Sequence, residues 1–495
     1  MTSETTPLCQ HEPDMKQSDG SAAEKQEEND KKSNLSKVRR KRVSTLFAVG
    51  IFTWIVWLAA LFTLSGDDSS FYTIEDRVNM ILSETPLIDG HNDLAIFIRF
   101  MYDSHIYSRN FSAPFENGSL PMHVDIPRLR EGKSGGAFWS AFVPCPKDGS
   151  NFSAGNYVEA IRETQQQIDL LQRLTAAYPS TFSSQPRTTA DALVSFHLHH
   201  QLISPLAIEG LHQIGLFPSL LRLYHKLGVR YATLTHNCHN IYADAALLED
   251  HSPGGQGAVF PAPPRWGGIN PGPGRALITE MNRMGMIVDL SHVSHATMLD
   301  VLAGEHTSPE SSNVEHATWP GSAAPIIFSH SSAYALCPHP RNVPDHILHQ
   351  VARTSSLVMV NFSPDFISCT AAQSDSISIK PNSTLPTPDP AHATLDRVVE
   401  HILHIAKVTG SFDHVGLGSD FDGIFSVPSG LEDVSKFPKL VAELLRRGVS
   451  DEDAGKVVGG NLLRVWKAVE DVAKEMQGRG LLPMEDDAVV SSESI

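Results

Sequence analysis

Leu87-Ile88-Asp89-Gly90-His91-Asn92-Asp93 is a short apolar run that breaks into a His-x-Asp pair. Five later stretches have the same form: Leu206-Ala207-Ile208-Glu209, Tyr231-Ala232-Thr233-Leu234-Thr235-His236, Met286-Ile287-Val288-Asp289-Leu290-Ser291-His292, Ile326-Ile327-Phe328-Ser329-His330 and Val415-Gly416-Leu417-Gly418-Ser419-Asp420. Each ends an apolar run in a group that binds metal or moves protons. Near-continuous Val, Ile and Leu runs fit strands buried on both faces, as in a parallel sheet. A (β/α)8 barrel gathers the C-terminal ends of such strands at one mouth, and its chemistry collects there. The pattern therefore predicts an α/β chain folded as a (β/α)8 TIM barrel that works as a metal-dependent hydrolase.

Helix-length segments separate the runs. Residues 71–83 suggest a short helix leading into strand one. The stretch from there to strand two, which carries two sequons, is expected as loop. Strand two fits Ala137 to Val143, and Val158 to Leu174 has a helical stripe through Ile161, Ile168, Leu171 and Leu174. Strand three ends at Glu209, strand four is Tyr231 to Thr235, strand five ends at Leu290 and strand six at Ser329. Strand seven is Ser356 to Asn361 and strand eight Val415 to Gly418, with a clean stripe (Leu395, Val398, Val399, Ile402, Ile405) between them. Residues 245–270 and 304–323 are rich in Pro, Gly and polar residues and read as insertions at the rim.

The N-terminus has a different character. Residues 1–44 are polar and charged and predict a disordered cytosolic tail. Thr45 to Leu64 contains no charge at all; about 20 apolar residues span a bilayer as a helix. The basic cluster Lys37-Val38-Arg39-Arg40-Lys41-Arg42 precedes it and Asp67-Asp68 follows. The positive-inside rule then predicts a signal-anchor helix of a single-pass type II membrane protein, with the barrel of residues 71–480 luminal or extracellular. Residues 481–495 form a polar tail without the hydrophobic end that a GPI anchor needs. A net charge of −17 argues against nucleic acid as a partner.

Cysteines and sequons agree with that compartment. Cys145, Cys238, Cys337 and Cys369 form an even set beyond the expected span, where disulfides persist. Four cysteines allow three pairings; Cys337 and Cys369 follow neighbouring strands six and seven, which makes a short link across the rim plausible. Sequons at Asn110, Asn117, Asn151 and Asn382 are expected to carry glycans, whereas Asn361, inside a strand, is not.

Five side chains have the character of ligands for a pair of divalent cations: His91, Asp93, Glu209, His292 and His330. Imidazole and carboxylate suit zinc, and one carboxylate can join two ions. With 24 histidines in the chain, any one of them says little. Their coincidence with carboxylates at one end of the strands says more, because unpaired ionisable groups are costly to bury.

The motifs IDGHNDL, GAFWSAFVPC, AIEG, TLTHNC, VDLSHVS, IIFSHSSAYALC, RNVPD, NFSPDFISC, GLGSDFDG and GLEDVSKFP occur in this order. In them the chain resembles the membrane (renal) dipeptidases, zinc peptidases of the amidohydrolase superfamily, over about residues 74–475. The resemblance implies two Zn²⁺ per chain, one on His91 and Asp93, the other on His292 and His330, with Glu209 bridging them and serving catalysis. It implies that His236 and Arg341 contact substrate and that the catalytic carboxylate Asp420 meets the substrate's free amino group; Asp422 is a rival for that role. It also supports pairing Cys145 with Cys238. His236 suits a donor to a developing oxyanion, and Arg341 a bidentate partner for a carboxylate.

The chain departs from the pattern in its N-terminal span, where mammalian members use a GPI anchor, in His239-Asn240-Ile241-Tyr242 after strand four, and in the two rim insertions. The expectation is a membrane-anchored zinc dipeptidase that cleaves the amide bond of small dipeptides with a metal-bridged hydroxide. A homodimer is compatible with the sequence without being specified by it. Another binuclear amidohydrolase, acting on a lactam, lactone or phosphoester, is the enzymatic alternative. A catalytically inactive binding protein on the same fold is the other; its mark would be a damaged metal shell, and all five candidate ligands are present.

Overall fold

The computed structural model describes residues 72–251, 257–304, 319–370 and 385–485, with a few single positions between 31 and 57. The chain divides into two units, Met1–Thr73 and Ile74–Ile495, and the barrel lies in the second. Among the described residues no helix is long and apolar enough to cross a membrane. The expected span, 45–64, lies outside the described residues apart from Gly50, Thr53, Trp54 and Trp57, and Asn382 also lies outside them.

Eight strands form one sheet in sequence order: β1 (Leu87–Asn92), β2 (Ser134–Ser140), β3 (Leu206–Glu209), β4 (Val229–Thr233), β5 (Ile287–Asp289), β6 (Ile327–Phe328), β7 (Leu357–Val360) and β8 (Val415–Leu417). Every neighbouring pair is parallel. Asn92 bridges Phe421, Asp93 N donates to Phe421 O at 2.9 Å, and Asp420 N donates to His91 O at 3.1 Å. These bonds bring the last strand round to the first, making a nearly closed barrel.

Side chains alternate across each strand. In β3, Leu206 and Ile208 pack outward with Ile168, Leu171 and Leu221 of the surrounding helices, while Ala207 points into the barrel. Ile88, Phe138, Tyr231, Ile287, Ile327 and Met359 fill the interior with it. Trp466, on the helix Asn461–Gly478, joins this cluster and meets Phe138 edge-on, ring centroids 5.6 Å apart. The same alternation turns Glu209, Thr233 and Asp289, the last residues of β3, β4 and β5, inward. That is how a period of two sets the site.

Strand two begins three residues earlier than the apolar pattern suggests. Gly135 and Gly136 belong to it: a Cβ on the first would come within 2.6 Å of Pro86 Cα, and on the second within 2.4 Å of Ile203 O. Neighbouring backbone occupies the space, so the strand needs the residue type that normally argues against one.

The stretch expected as loop after strand one instead holds three helices, Leu94–Tyr102, Arg109–Asn117 and Ile126–Glu131. Leu94 to Ile98 are all buried, so no polar face reveals the period, and Pro114 inside the second helix disguises it. The first insertion does lie at the rim, as the antiparallel pair Leu247–Glu249 and Val259–Pro261.

Candidate metal centre and active site

Three imidazoles converge at the mouth of the barrel, each with its outer nitrogen already committed. His91 Nδ1 lies 2.6 Å from Tyr231 Oη, which itself donates to Gly90 O at 3.1 Å. His330 Nδ1 lies 2.8 Å from Ser329 Oγ, which donates to Asp289 Oδ2 at 2.6 Å. His292 Nδ1 lies 3.0 Å from Asn237 Oδ1. In each case the neighbour accepts, so Nδ1 carries the proton and Nε2 presents a lone pair to the interior.

What the lone pairs meet is more acceptors. Glu209 Oε2 is 3.4 Å from His91 Nε2, and Oε1 is 3.0 Å from His292 Nε2 and 3.4 Å from His330 Nε2. His292 Nε2 and His330 Nε2 stand 3.0 Å apart, and Asp93 Oδ2 is 3.2 Å from His91 Nε2. Among the described residues, Asp93 Oδ1 is buried without a hydrogen-bond partner. So many lone pairs in one buried space require a cation. Two ligands on a tetrahedral zinc with bonds of about 2.0–2.1 Å sit roughly 3.3 Å apart, so the donor set fits. Glu209 turns Oε2 to His91 and Oε1 to His292 and His330, so one carboxylate touches both groups of candidate ligands.

The electrostatics agree. Burial raises the Glu209 carboxyl, but the His91, His292 and His330 imidazoles gathered around it outweigh burial and hold it well below the usual carboxylate range. Burial, with Arg341 and His236 beside it, pushes His292 well down; burial and His91 do the same to His330. Burial lowers His91 too, but Tyr231, Glu209 and Asp93 together hold it well above its ordinary value. The carboxylates that favour a proton there also favour a metal ion.

The supporting carboxylates escaped the sequence reading. Asp89 accepts from Ser419 N at 2.7 Å and Ser419 Oγ at 2.5 Å, tying β1 to β8. Asp289 accepts from Thr233 Oγ1 at 2.5 Å and Ser329 N at 2.8 Å, tying β4, β5 and β6. Their signal was visible, since each stands two or three residues before a candidate ligand.

Asp420, His91 and Asp93 present ligand atoms within 4.8 Å of one another. Asp420 has φ 65° and His292 φ 67°, conformations that cost a non-glycine residue roughly 1–3 kcal/mol and gather at functional sites. Burial pushes Asp420 up to about 7 against the pull of His91. Asn361 Nδ2 donates to its Oδ2 at 3.1 Å. Gly423 makes room for the pair of acids, because a Cβ there would come 2.3 Å from Asp93 Oδ2 and 2.7 Å from Asp420 Oδ1. Asp422 is employed elsewhere: its Oδ1 accepts from His123 N at 2.8 Å, and its own N donates to His123 Nδ1 at 3.0 Å.

Arg341 is not a surface residue; it is 3 % exposed. Its Nη2 donates to His330 O at 3.3 Å, its guanidinium lies over Phe366, and its Nε has no partner among the described residues. Burial lowers it to about 10, so it keeps its charge at neutral pH. His236 stacks at a tilt on His292, centroids 4.4 Å apart. Both expected disulfides are present, Cys145–Cys238 and Cys337–Cys369, the first immediately beyond His236. Asn110, Asn117 and Asn151 are exposed, and Asn361 is buried. Beside the site a cavity of about 600 Å³ opens between the 146–152 loop and the rim hairpin, bordered by Phe152, Asn237, Glu249, His251, Phe260 and Arg265.

A parallel barrel with such a donor cluster at its mouth has the build of a metal-dependent hydrolase. The family model for membrane dipeptidases (peptidase family M19) matches residues 75–480. An uncharacterised dipeptidase of Schizosaccharomyces pombe is 42% identical over 463 residues, 92% of this chain and 97% of the relative. The dipeptidase aclJ of Aspergillus oryzae is 43% identical over 411 residues, 83% of this chain and 84% of the relative. Among solved structures, the probable dipeptidase PvdM from Pseudomonas aeruginosa superposes with a TM-score of 0.64 at 20% identity, covering 81% of this chain and 99% of its own. A metallo peptidase from Rhodobacter sphaeroides, liganded with a phosphinate mimic of the dipeptide L-Ala-D-Ala, gives 0.58 at 23% identity, with 78% and 99% covered. The two structures establish the likeness of fold. The chain belongs to the membrane dipeptidase family, peptidase family M19, and is a dipeptidase of that metallopeptidase family.

Proposed function

We propose that this protein is a zinc dipeptidase with two metal ions per chain, anchored in a membrane by residues 45–64. One observation carries the metal assignment: the Glu209 carboxylate divides its two oxygens between His91 and the His292–His330 pair. His91 and Asp93 would hold one ion, His292 and His330 the other, and Glu209 both. Bound zinc would supply a hydroxide at neutral pH and polarise the scissile carbonyl.

The chain's own groups do the rest. Arg341, buried and charged, pairs with the substrate's carboxylate and so fixes its length to two residues. Asp420 holds the α-ammonium group. It also takes up the proton released on attack and delivers it to the leaving amine, a task suited to a carboxyl held near 7. His236 donates to the oxygen on which negative charge develops. The left-handed backbone at Asp420 and His292 is held by the packing around it, as strained conformations at functional sites are.

The anchor rests on the charge-free run after a basic cluster. The test joins metal analysis of the purified protein with amino-acid release from a dipeptide panel. Two zinc ions and hydrolysis of free but not N-acetylated dipeptides are expected; turnover of N-acetylated substrates at the same rate would overturn the assignment. Deletion of residues 1–64 should release the activity from membranes in soluble form.

A further inference from the structure

Glu249 ends a strand of the rim hairpin and belongs to none of the eight barrel strands. Its Oε1 lies 3.4 Å from Nδ1 of His236 and its Oε2 lies 3.3 Å from Nε2 of His251. Its backbone N donates to Asn237 O at 3.1 Å, so the hairpin is fastened to the residue next to His236. The pair therefore does not depend on a long side chain finding its partner from a distance. Both side chains are largely shielded, 12% exposed for His236 and 15% for Glu249.

The ring of His236 is held on its other sides as well. Cys145 Sγ stands 3.8 Å from the same Nδ1, and the Phe142 ring centroid is 4.8 Å away. One nitrogen of His236 lies within 4.8 Å of the ligand atoms of Glu209 and His292. A carboxylate at Nδ1 sets both the tautomer and the rotation of an imidazole, leaving Nε2 for whatever binds in the site.

We propose that Glu249 is a positioning residue for catalysis, a carboxylate carried in by the rim insertion to fix His236 in the orientation that meets the substrate's developing oxyanion. This rests on the reading of His236 given above. The insertion is then part of the active site and acts through one carboxylate–imidazole contact. Removal of Glu249 lets the ring turn and weakens a contact made chiefly in the transition state, so turnover falls while substrate affinity changes little.

The test is a double-variant cycle on the full-length protein, with kcat and KM for one dipeptide and metal content for each variant. Glu249→Ala is expected to lower kcat about ten- to a hundredfold, with KM within about threefold and metal content unchanged, in the range typical of losing an orienting group around a catalytic histidine. Glu249→Gln, which retains an acceptor oxygen and the same shape, should fall between wild type and Glu249→Ala, and it carries the test if the alanine variant fails to fold. Added to His236→Ala, Glu249→Ala should cause no further loss. Independent, multiplying losses in the double variant, or a fully active Glu249→Ala, would overturn the proposal while leaving the role of His236 intact. A fully active His236→Ala would instead overturn the reading of His236, and this proposal with it.

Discussion

Asn361 donates from Nδ2 to Oδ2 of Asp420 at 3.1 Å, joining the end of β7 to the carboxylate that follows β8. Asn361 is fully buried, which also explains why its sequon should stay free of glycan. A hydrogen bond to a charged group is worth about 1.5–3 kcal/mol. Asn361→Leu should therefore slow turnover by roughly ten- to a hundredfold without loss of metal. Steady-state kinetics alongside metal analysis would check this, and full activity would show that Asp420 needs no such support.

Asp420→Asn should leave metal content nearly intact and reduce kcat by about two to four orders of magnitude, the usual range for a positioned acid–base group. Asp422→Asn should behave differently, because Asp422 braces His123. Its expected effect is a lower melting temperature with most activity retained. If the two phenotypes were exchanged, the catalytic role would pass to Asp422.

Glu209→Gln keeps the shape of the proposed bridge and removes the charge that offsets two adjacent dications. Both ions should then be lost at lower chelator concentration than in the wild type, and activity with them. Titration with a zinc chelator, followed by metal and by rate, reads this directly. Two tightly held ions and normal turnover in the variant would refute the bridge.

The disulfides close loops of very different length, with sequence separations of 93 for Cys145–Cys238 and 32 for Cys337–Cys369. Loop entropy alone gives about 4–5 kcal/mol for the first and about 3–4 for the second. Replacing both cysteines of a pair by alanine should lower stability in that order, measured by denaturant unfolding. The first pair should also affect kcat, since it stands against His236.

His401 predicts an acid limit to stability. Its Nδ1 accepts from Ala333 N at 3.0 Å and its Nε2 donates to Ile367 O at 2.8 Å, so the neutral ring satisfies both partners. Burial holds it down to about 3, below the unfolded value of about 6.5. The stability it contributes is fully present above about pH 6.5 and is lost as pH falls from there towards 3, at about 1.4 kcal/mol per unit. Unfolding free energies at a series of pH values should show this slope, and His401→Gln should reduce it by one proton. An unchanged slope would show that His401 is already protonated in the folded state.

Much of this was legible in the sequence, for an identifiable reason. A strand buried on both faces leaves a run of Val, Ile and Leu, and a functional residue at its end stands out against that background, as His91, Glu209 and Asp420 do. The helix Leu94–Tyr102 was not legible, because its first five residues are all buried and its exposed Phe100 and Met101 are themselves apolar, which leaves no polar face to mark the period, and β2 was misplaced because its glycines are required by neighbouring backbone. Asn361 was rightly set aside as a glycan acceptor, but its bond to Asp420 left no local mark in the sequence, and neither did the contact of Glu249 with His236.

What the sequence alone determined was the order of strands and the identity of the groups at their ends, both written in local pattern. Which oxygen of Glu209 faces which imidazole, that Asn361 holds Asp420 while Asp422 turns to His123, and that a rim hairpin sets Glu249 against His236 were decided only by the tertiary structure. Such contacts join residues from about a dozen to about 300 positions apart in the chain, and a hydrogen bond acts only over about 3 Å. Closure of the barrel, which no local pattern encodes, is what brings those atoms within that distance.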